Sequence, residues 1–178
     1  MEYLWDWLLV VLVLTAGILD IKTRRVPNWL TVSGFAMALA FRLPYGTGPV
    51  LDGLAAGLIA FAISVPFFAL GGLGGGDVKL LAAVGAFLGV DRLWIALLVT
   101  ALVGGGLALV AVIQQRRLGT TIANLYMVMR SLRSKEAYTG WKGAEGDAPL
   151  TIRSAGVITR PYAVAIAAGA VYAVLPFF

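Results

Sequence analysis

The chain has 178 residues, of which 60% are hydrophobic and 13% charged, with a formal net charge of +5. Soluble domains carry about a quarter charged residues, so this composition excludes an ordinary soluble fold and predicts one all-α domain, 1–178, embedded in a lipid bilayer. With no cysteine and no histidine, it also excludes disulfides, thiolate zinc sites, cysteine nucleophiles and histidine bases.

Apolar runs follow one another at about 3–19, 29–41, 51–70, 78–90, 93–113 and 161–177. Each predicts a transmembrane helix, because backbone groups in hydrocarbon must be satisfied within their own segment. The first run ends in Asp20 and a basic cluster. It lacks a small-residue cleavage site, so it reads as a span and not as a removable signal.

With six spans the connections alternate sides. Lys22, Arg24, Arg25, Lys79, Arg116, Arg117, Arg130, Arg133, Lys135, Lys142, Arg153 and Arg160 fall on one side, and Arg42 and Arg92 on the other. The crowded side is expected to be cytoplasmic, which puts both termini outside. The positive charge is thus topological, and no nucleic-acid partner is expected. The longest connection, 114–159, is cytoplasmic on this reading. Within it Ile122, Leu125, Tyr126, Met129 and Leu132 recur at helical spacing ahead of Arg133 and Lys135. They predict an amphipathic helix, either lying in the lipid interface or packed on the spans.

Asp20 and Asp77 stand at the cytoplasmic ends of the first and fourth runs. From Asp6 to Asp20 is fourteen residues, as is Asp77 to Asp91. At ~1.5 Å per residue each interval covers about 21 Å, against a hydrocarbon core about 30 Å thick. Trp5, Trp7 and Trp94 mark the outer interface as an aromatic belt. Both inner aspartates are then expected at one depth, a little below the cytoplasmic lipid surface. An ionised carboxylate there costs a few kcal/mol, and at the C-terminus of a helix, where Asp20 sits, the dipole disfavours it further. Each also has a plain structural reading. Asp77 can cap the fourth helix, and Asp20 can pair with Lys22 or Arg24. Their matched depth and matched context, Asp20-Ile21-Lys22 and Asp77-Val78-Lys79, favour a shared site.

Of the known ways to cut a peptide in a membrane, this composition leaves one. A serine mechanism of the rhomboid kind needs a histidine base, and a zinc mechanism needs His-Glu-x-x-His. Two carboxylates sharing one proton remain, one taking a proton from water and the other protonating the peptide carbonyl. Gly74, Gly75 and Gly76 would then clear side chains before Asp77 and open unusual torsions, leaving backbone for an extended substrate to pair with. The plain alternative is a turn.

Gly74-Gly75-Gly76-Asp77 resembles the Gly-x-Gly-Asp signature of the GxGD aspartyl proteases. Asp20-Ile21-Lys22 followed by Val26-Pro27-Asn28 resembles the first-aspartate motif of the type IV prepilin peptidase family, and Arg160-Pro161-Tyr162-Ala163 its last-helix segment. The resemblance implies a cytoplasmic-membrane aspartyl endopeptidase that removes the basic leader of prepilins or prepilin-like proteins at the cytoplasmic face. It implies Asp20 and Asp77 as the catalytic pair, with no metal and no cofactor. The larger members also N-methylate their product and carry an insertion with Cys-x-x-Cys motifs. This chain has no cysteine, so the short, peptidase-only kind of tight-adherence (Flp-type) systems is expected, with archaeal preflagellin peptidases as an alternative.

Lys22 and Lys79 are candidates to hold the dyad's charge or a substrate acid, or else reach lipid phosphate. Pro27 is expected to open the second helix, Asn28 to add a cap or a hydrogen bond, and Pro161 to open the sixth. Tyr162 faces the cleft or anchors the interface. Gly104, Gly105 and Gly106 are read as helix-packing residues. The rival of another class is a proton or cation transporter built on the two aspartates, and a third reading is a structural subunit of a secretion assembly.

Overall fold

The computed structural model describes residues 2–69, 72–114 and 162–175. The predicted 114–159 loop beyond Gln114, its amphipathic helix, and Pro161 lie outside the described residues. All regular structure among the described residues is helical: α1 (Glu2–Thr23), α2 (Asn28–Arg42), a 3-10 turn (Leu43–Tyr45), α3 (Thr47–Ala69), α4 (Gly75–Gln114) and α5 (Tyr162–Val174). By length and apolar composition, Thr47–Ala69 and the stretch Gly75–Val110 of α4 are long enough to cross a membrane, and α5 is a shorter apolar helix. The chain divides into two units. The first, 1–105 with 159–178, holds the features discussed below. The described part of the second is the helical stretch 106–114.

The predicted fourth and fifth spans are one element on paper, but α4 is not one rod. Gly89 has φ 76 and ψ 175, outside helical torsions. A side chain there would be strained, and an added Cβ would collide with Asp52 Oδ2. The break therefore falls at the glycine, two residues before the Asp91-Arg92 pair that bounds the predicted spans.

Polar contacts fix the helix directions. Arg92 Nη1 donates to Asp6 Oδ1 (3.5 Å), Arg42 Nη1 to Asp52 Oδ2 (3.0 Å), and the Val90 amide to Asp52 Oδ1 (3.2 Å). One end thus collects residues 6, 42, 52 and 89–92. At the other end Lys79 Nζ donates to Asn28 Oδ1 (2.9 Å), and the Ala163 amide donates to Asp20 Oδ2 (3.2 Å). The chain runs from the first end to the second in α1, in α3 and in the latter half of α4. It returns in α2, in the first half of α4 and in α5.

Small residues set the packing. Gly53, Ala56, Gly57, Ala60 and Ser64 form the buried face of α3. A Cβ on Gly57 would stand 3.0 Å from Ala82 O, and one on Gly85 would stand 2.7 Å from Ala56 O. Where lipid tails are as apolar as leucine, such close backbone approach supplies association by van der Waals contact. Gly34 of α2 likewise receives Leu12 of α1. On α1, Leu9, Leu12, Val13 and Ala16 are buried while Val11, Leu14 and Ile18 are exposed, the one-sided stripe of a helix against a core. α5 is buried over most of its surface, including Ala163, Ile166, Gly169 and Ala170, as expected for a helix apolar all round.

Candidate active site

Asp20 does not end its helix, as the sequence had suggested, but lies in the last turn of α1, which runs on to Thr23. Two bonds close that turn: the Arg24 amide donates to Asp20 O (2.8 Å), and Thr23 Oγ1 donates to Leu19 O (2.8 Å). Arg24 takes φ 53, the left-handed conformation common just past a helix end. The chain then turns through Pro27, which precedes α2 as its N-cap instead of occupying the first helical position. Asn28 is that first position, and its side chain is turned outward to accept from Lys79.

Asp77 sits in the first turn of α4, three residues after Gly74. Its Oδ2 accepts the Gly74 amide (3.2 Å), while Gly74 O accepts the amides of Asp77 (3.0 Å) and Val78 (3.2 Å). This is the reach-back half of a capping box. The capping role anticipated for Asp77 is thus real, but from inside the helix and with one oxygen only. Its Oδ1 is buried without a hydrogen-bond partner.

The structure places the two carboxylates at the same end of the first unit. Asp20 is 6% and Asp77 8% exposed, and the segment that follows Asp20 meets the Asp77 helix where Val26 lies against Gly76. Among the described residues, neither forms an ion pair with a cation; the ion pairs found are Arg42–Asp52 and Arg92–Asp6. Lys22, Arg24, Arg25 and Lys79 are exposed around this end. The pairing of Asp20 with Lys22 or Arg24 is replaced by a bond to the Ala163 amide, at the start of α5. Lys79 is turned to Asn28, away from the role of counter-ion to the dyad.

The glycines show one of the two properties expected of them. Among the described residues the glycines with positive φ are Gly46 and Gly89, so Gly74, Gly75 and Gly76 use no forbidden torsion. Gly75 and Gly76 already belong to α4, so their backbone offers no extended edge for a substrate strand. What they supply is space. A Cβ on Gly76 would stand 3.0 Å from both Cβ and O of Val26, and one on Gly74 would stand 3.0 Å from Asp77 Oδ2; at Gly75 the nearest atom, in Phe68, is 3.5 Å away. Gly76 therefore lets the Asp77 helix close on the segment that follows Asp20.

Tyr162 is half-buried at the start of α5, with its ring against the backbone of Gly104. Sequence reasoning named Tyr162 but missed the Ala163 amide, the site's link to α5. A backbone donor has no residue signature. Two buried carboxylates at one end, each accepting a backbone amide through one oxygen and, among the described residues, without a cation partner, form an arrangement suited to holding one proton between two acids and activating water.

Comparison with known proteins gives the same direction. The sequence profile described as the type IV leader peptidase family matches residues 7–109, a stretch that contains Asp20, the glycines and Asp77. The chain is 35% identical over 118 residues to a prepilin leader peptidase/N-methyltransferase of Escherichia coli (strain K12), covering 62% of this chain and 52% of that protein. Proteins of the same name from Neisseria gonorrhoeae and Bacillus subtilis (strain 168) are each 33% identical, over 58% and 60% of this chain and 41% and 44% of their own lengths. The chain thus spans about half the length of these relatives, or less. No solved structure matches it.

Proposed function

This chain belongs to the type IV leader peptidase family, and from that membership we propose that it is a membrane aspartyl endopeptidase of the GxGD type, with Asp20 and Asp77 as its catalytic pair. Its substrate is a prepilin or prepilin-like protein, whose basic leader it removes at the cytoplasmic face of the inner membrane. The proposal covers peptide cleavage and not N-methylation, because the chain has no cysteine for the Cys-x-x-Cys motifs of the larger members. The observation that carries it is the presence, at one end of the helix bundle, of two buried carboxylates from different helices that pair with no cation among the described residues.

In this reading the six helical segments are six spans of one peptidase domain. The Asp20–Asp77 end is cytoplasmic because Lys22, Arg24, Arg25 and Lys79 lie there. One carboxylate takes a proton from a water molecule, whose oxygen attacks the scissile carbonyl carbon. The other, as the acid, gives its proton to the carbonyl oxygen, so the tetrahedral intermediate is a neutral diol. Collapse breaks the C–N bond as the proton taken from water passes to the leaving amine and one diol hydroxyl returns a proton to the carboxylate that served as the acid, which restores the starting pair. The apolar start of the mature pilin stays in the bilayer, which puts the scissile bond near the depth of the two aspartates. Prepilin and lipid are the partners this chemistry requires.

The test is co-expression with a Flp-type prepilin, read by gel shift and N-terminal sequencing. Leader removal by the wild type and by neither Asp20→Asn nor Asp77→Asn is expected. Cleavage at the normal site by either membrane-inserted variant would overturn the dyad.

A further inference from the structure

Resting on the reading of Asp20 as one half of the dyad, we propose that Gly104 and Tyr162 form a seat that sets the first turn of α5, and that this seat aims the Ala163 amide at Asp20. Tyr162 and Gly104 are on this view positioning residues, acting through a backbone bond.

The bond in question joins two buried groups, Ala163 N–H and Asp20 Oδ2, at 3.2 Å. The first amides of a helix have no partner inside it, so α5 has this donor to give. A bond of that length is lost with a small displacement, so the first turn must be held in place. The methyl side chain of Ala163 cannot do this, but the neighbouring ring can. A Cβ on Gly104 would stand 2.9 Å from Tyr162 Cε1, 3.5 Å from Cδ1 and 3.6 Å from Ala165 Cβ. The first turn of α5 is thus nested on bare backbone at position 104. Further along, a Cβ on Gly169 would collide with Thr100 Oγ1 and Ala96 O, so the two helices stay in backbone contact deeper in the bundle. The next glycine of the triplet supplies a contrast. Gly105 is exposed, and a Cβ there meets nothing within 4 Å. Of two adjacent glycines, only the first receives Tyr162.

The experiment uses the full chain purified in detergent and a tagged Flp-type prepilin, with kcat and KM measured separately. Gly104→Leu is expected to lower kcat at least tenfold with KM within about twofold, as a misplaced catalytic group does. Gly105→Leu, with the same loss of glycine in the same helix, is expected to keep wild-type kinetics. Tyr162→Ala should lose kcat like Gly104→Leu, and Tyr162→Phe, which keeps the ring, should recover most of the rate. A folded Gly104→Leu at wild-type rate, equal losses at 104 and 105, or a loss confined to KM would each overturn the seat. If Gly104→Leu fails to fold, the Tyr162 pair decides alone: equal kcat in Tyr162→Ala and wild type overturns it. Asp20→Asn runs alongside. If that variant is inactive while Gly104→Leu is normal, the dyad stands and the seat falls. If Asp20→Asn cleaves, the dyad itself falls.

Discussion

The two ends of this helix bundle hold acids of the same kind and treat them in opposite ways. At one end Asp6 is paired with Arg92, and Arg42 with Asp52. The Arg42 guanidinium also donates to Pro49 O (2.8 Å) and Phe87 O (3.0 Å) and lies 5.9 Å from the centre of the Trp5 ring. At the other end Asp20 and Asp77 are both buried, each with a backbone amide as its hydrogen-bond donor. Removing one partner of a buried ion pair is destabilising because the other charge is left uncompensated. Two like charges buried without a cation work against a fold, and persist where they do chemistry. On the function proposed above, the first end is the clasp and the second the site.

The sharpest way to break that division is to neutralise acids at both ends. Asp20→Asn and Asp77→Asn should each lower prepilin cleavage by about a hundredfold or more, given the weight of acid–base groups, without reducing membrane insertion. Asp6→Asn should retain cleavage per folded molecule. Loss of catalysis in Asp6→Asn equal to that in Asp20→Asn, at equal folded yield, would erase the distinction between the ends.

The reverse experiment removes the clasp. Arg42→Ala leaves the carbonyls of Pro49 and Phe87 without their donor, at a cost of about 1–3 kcal/mol. Asp52 is 44% exposed at its side chain, so water takes up part of that loss. The expected result is a lower melting temperature in detergent with kcat retained at a temperature where the variant is folded. A normal melting temperature with reduced kcat would show that this end, too, serves the reaction.

Much of this was legible in the sequence, for a physical reason. Apolar runs must be helical in lipid, so an all-helical fold could be read from them, and an aspartate at a run's edge is conspicuous because it is costly. What was hidden depends on tertiary contact. Arg42 reads as a solvent-side topology charge, yet it is 7% exposed, because Asp52 and two carbonyls from other segments enclose it. Gly89 looks like one more small residue within an apolar run, and only its φ of 76 marks the reversal. Of the two properties the sequence suggests for the glycines before Asp77, cleared side chains and unusual torsions, the structure shows the first, since Gly76 leaves room for Val26, and not the second, since none of them has a positive φ.

That correction can be tested within the site end. Gly76→Ala sets a methyl 3.0 Å from Val26 Cβ and O, whereas Gly75→Ala meets nothing nearer than 3.5 Å. Part of the neighbour at position 76 is backbone, so the α4 terminus must shift and carry Asp77 with it. Gly76→Ala is expected to slow cleavage about tenfold and Gly75→Ala by much less. Equal rates in the two would return the glycines to the role of a simple turn.

The smallest expected effect separates the mouth of the site from its centre. Lys79 Nζ and Asn28 Oδ1 are joined at 2.9 Å, but both residues are exposed. A hydrogen bond from a charged donor in water-accessible surroundings contributes about 0.2–1 kcal/mol. The pair ties the start of α2 to the start of α4, next to the contact of Gly76 with Val26, so it has a geometric reason to matter and an energetic reason not to matter much. Lys79→Met and Asn28→Ala should each change kcat about two- to threefold, and the double variant should be no slower than the slower single one, as for one shared interaction. If Lys79→Met alone lost a hundredfold and Asn28→Ala none, the ammonium would be acting on substrate or on the dyad. The uncompensated charge that distinguishes this end would then have a hidden counter-ion during turnover.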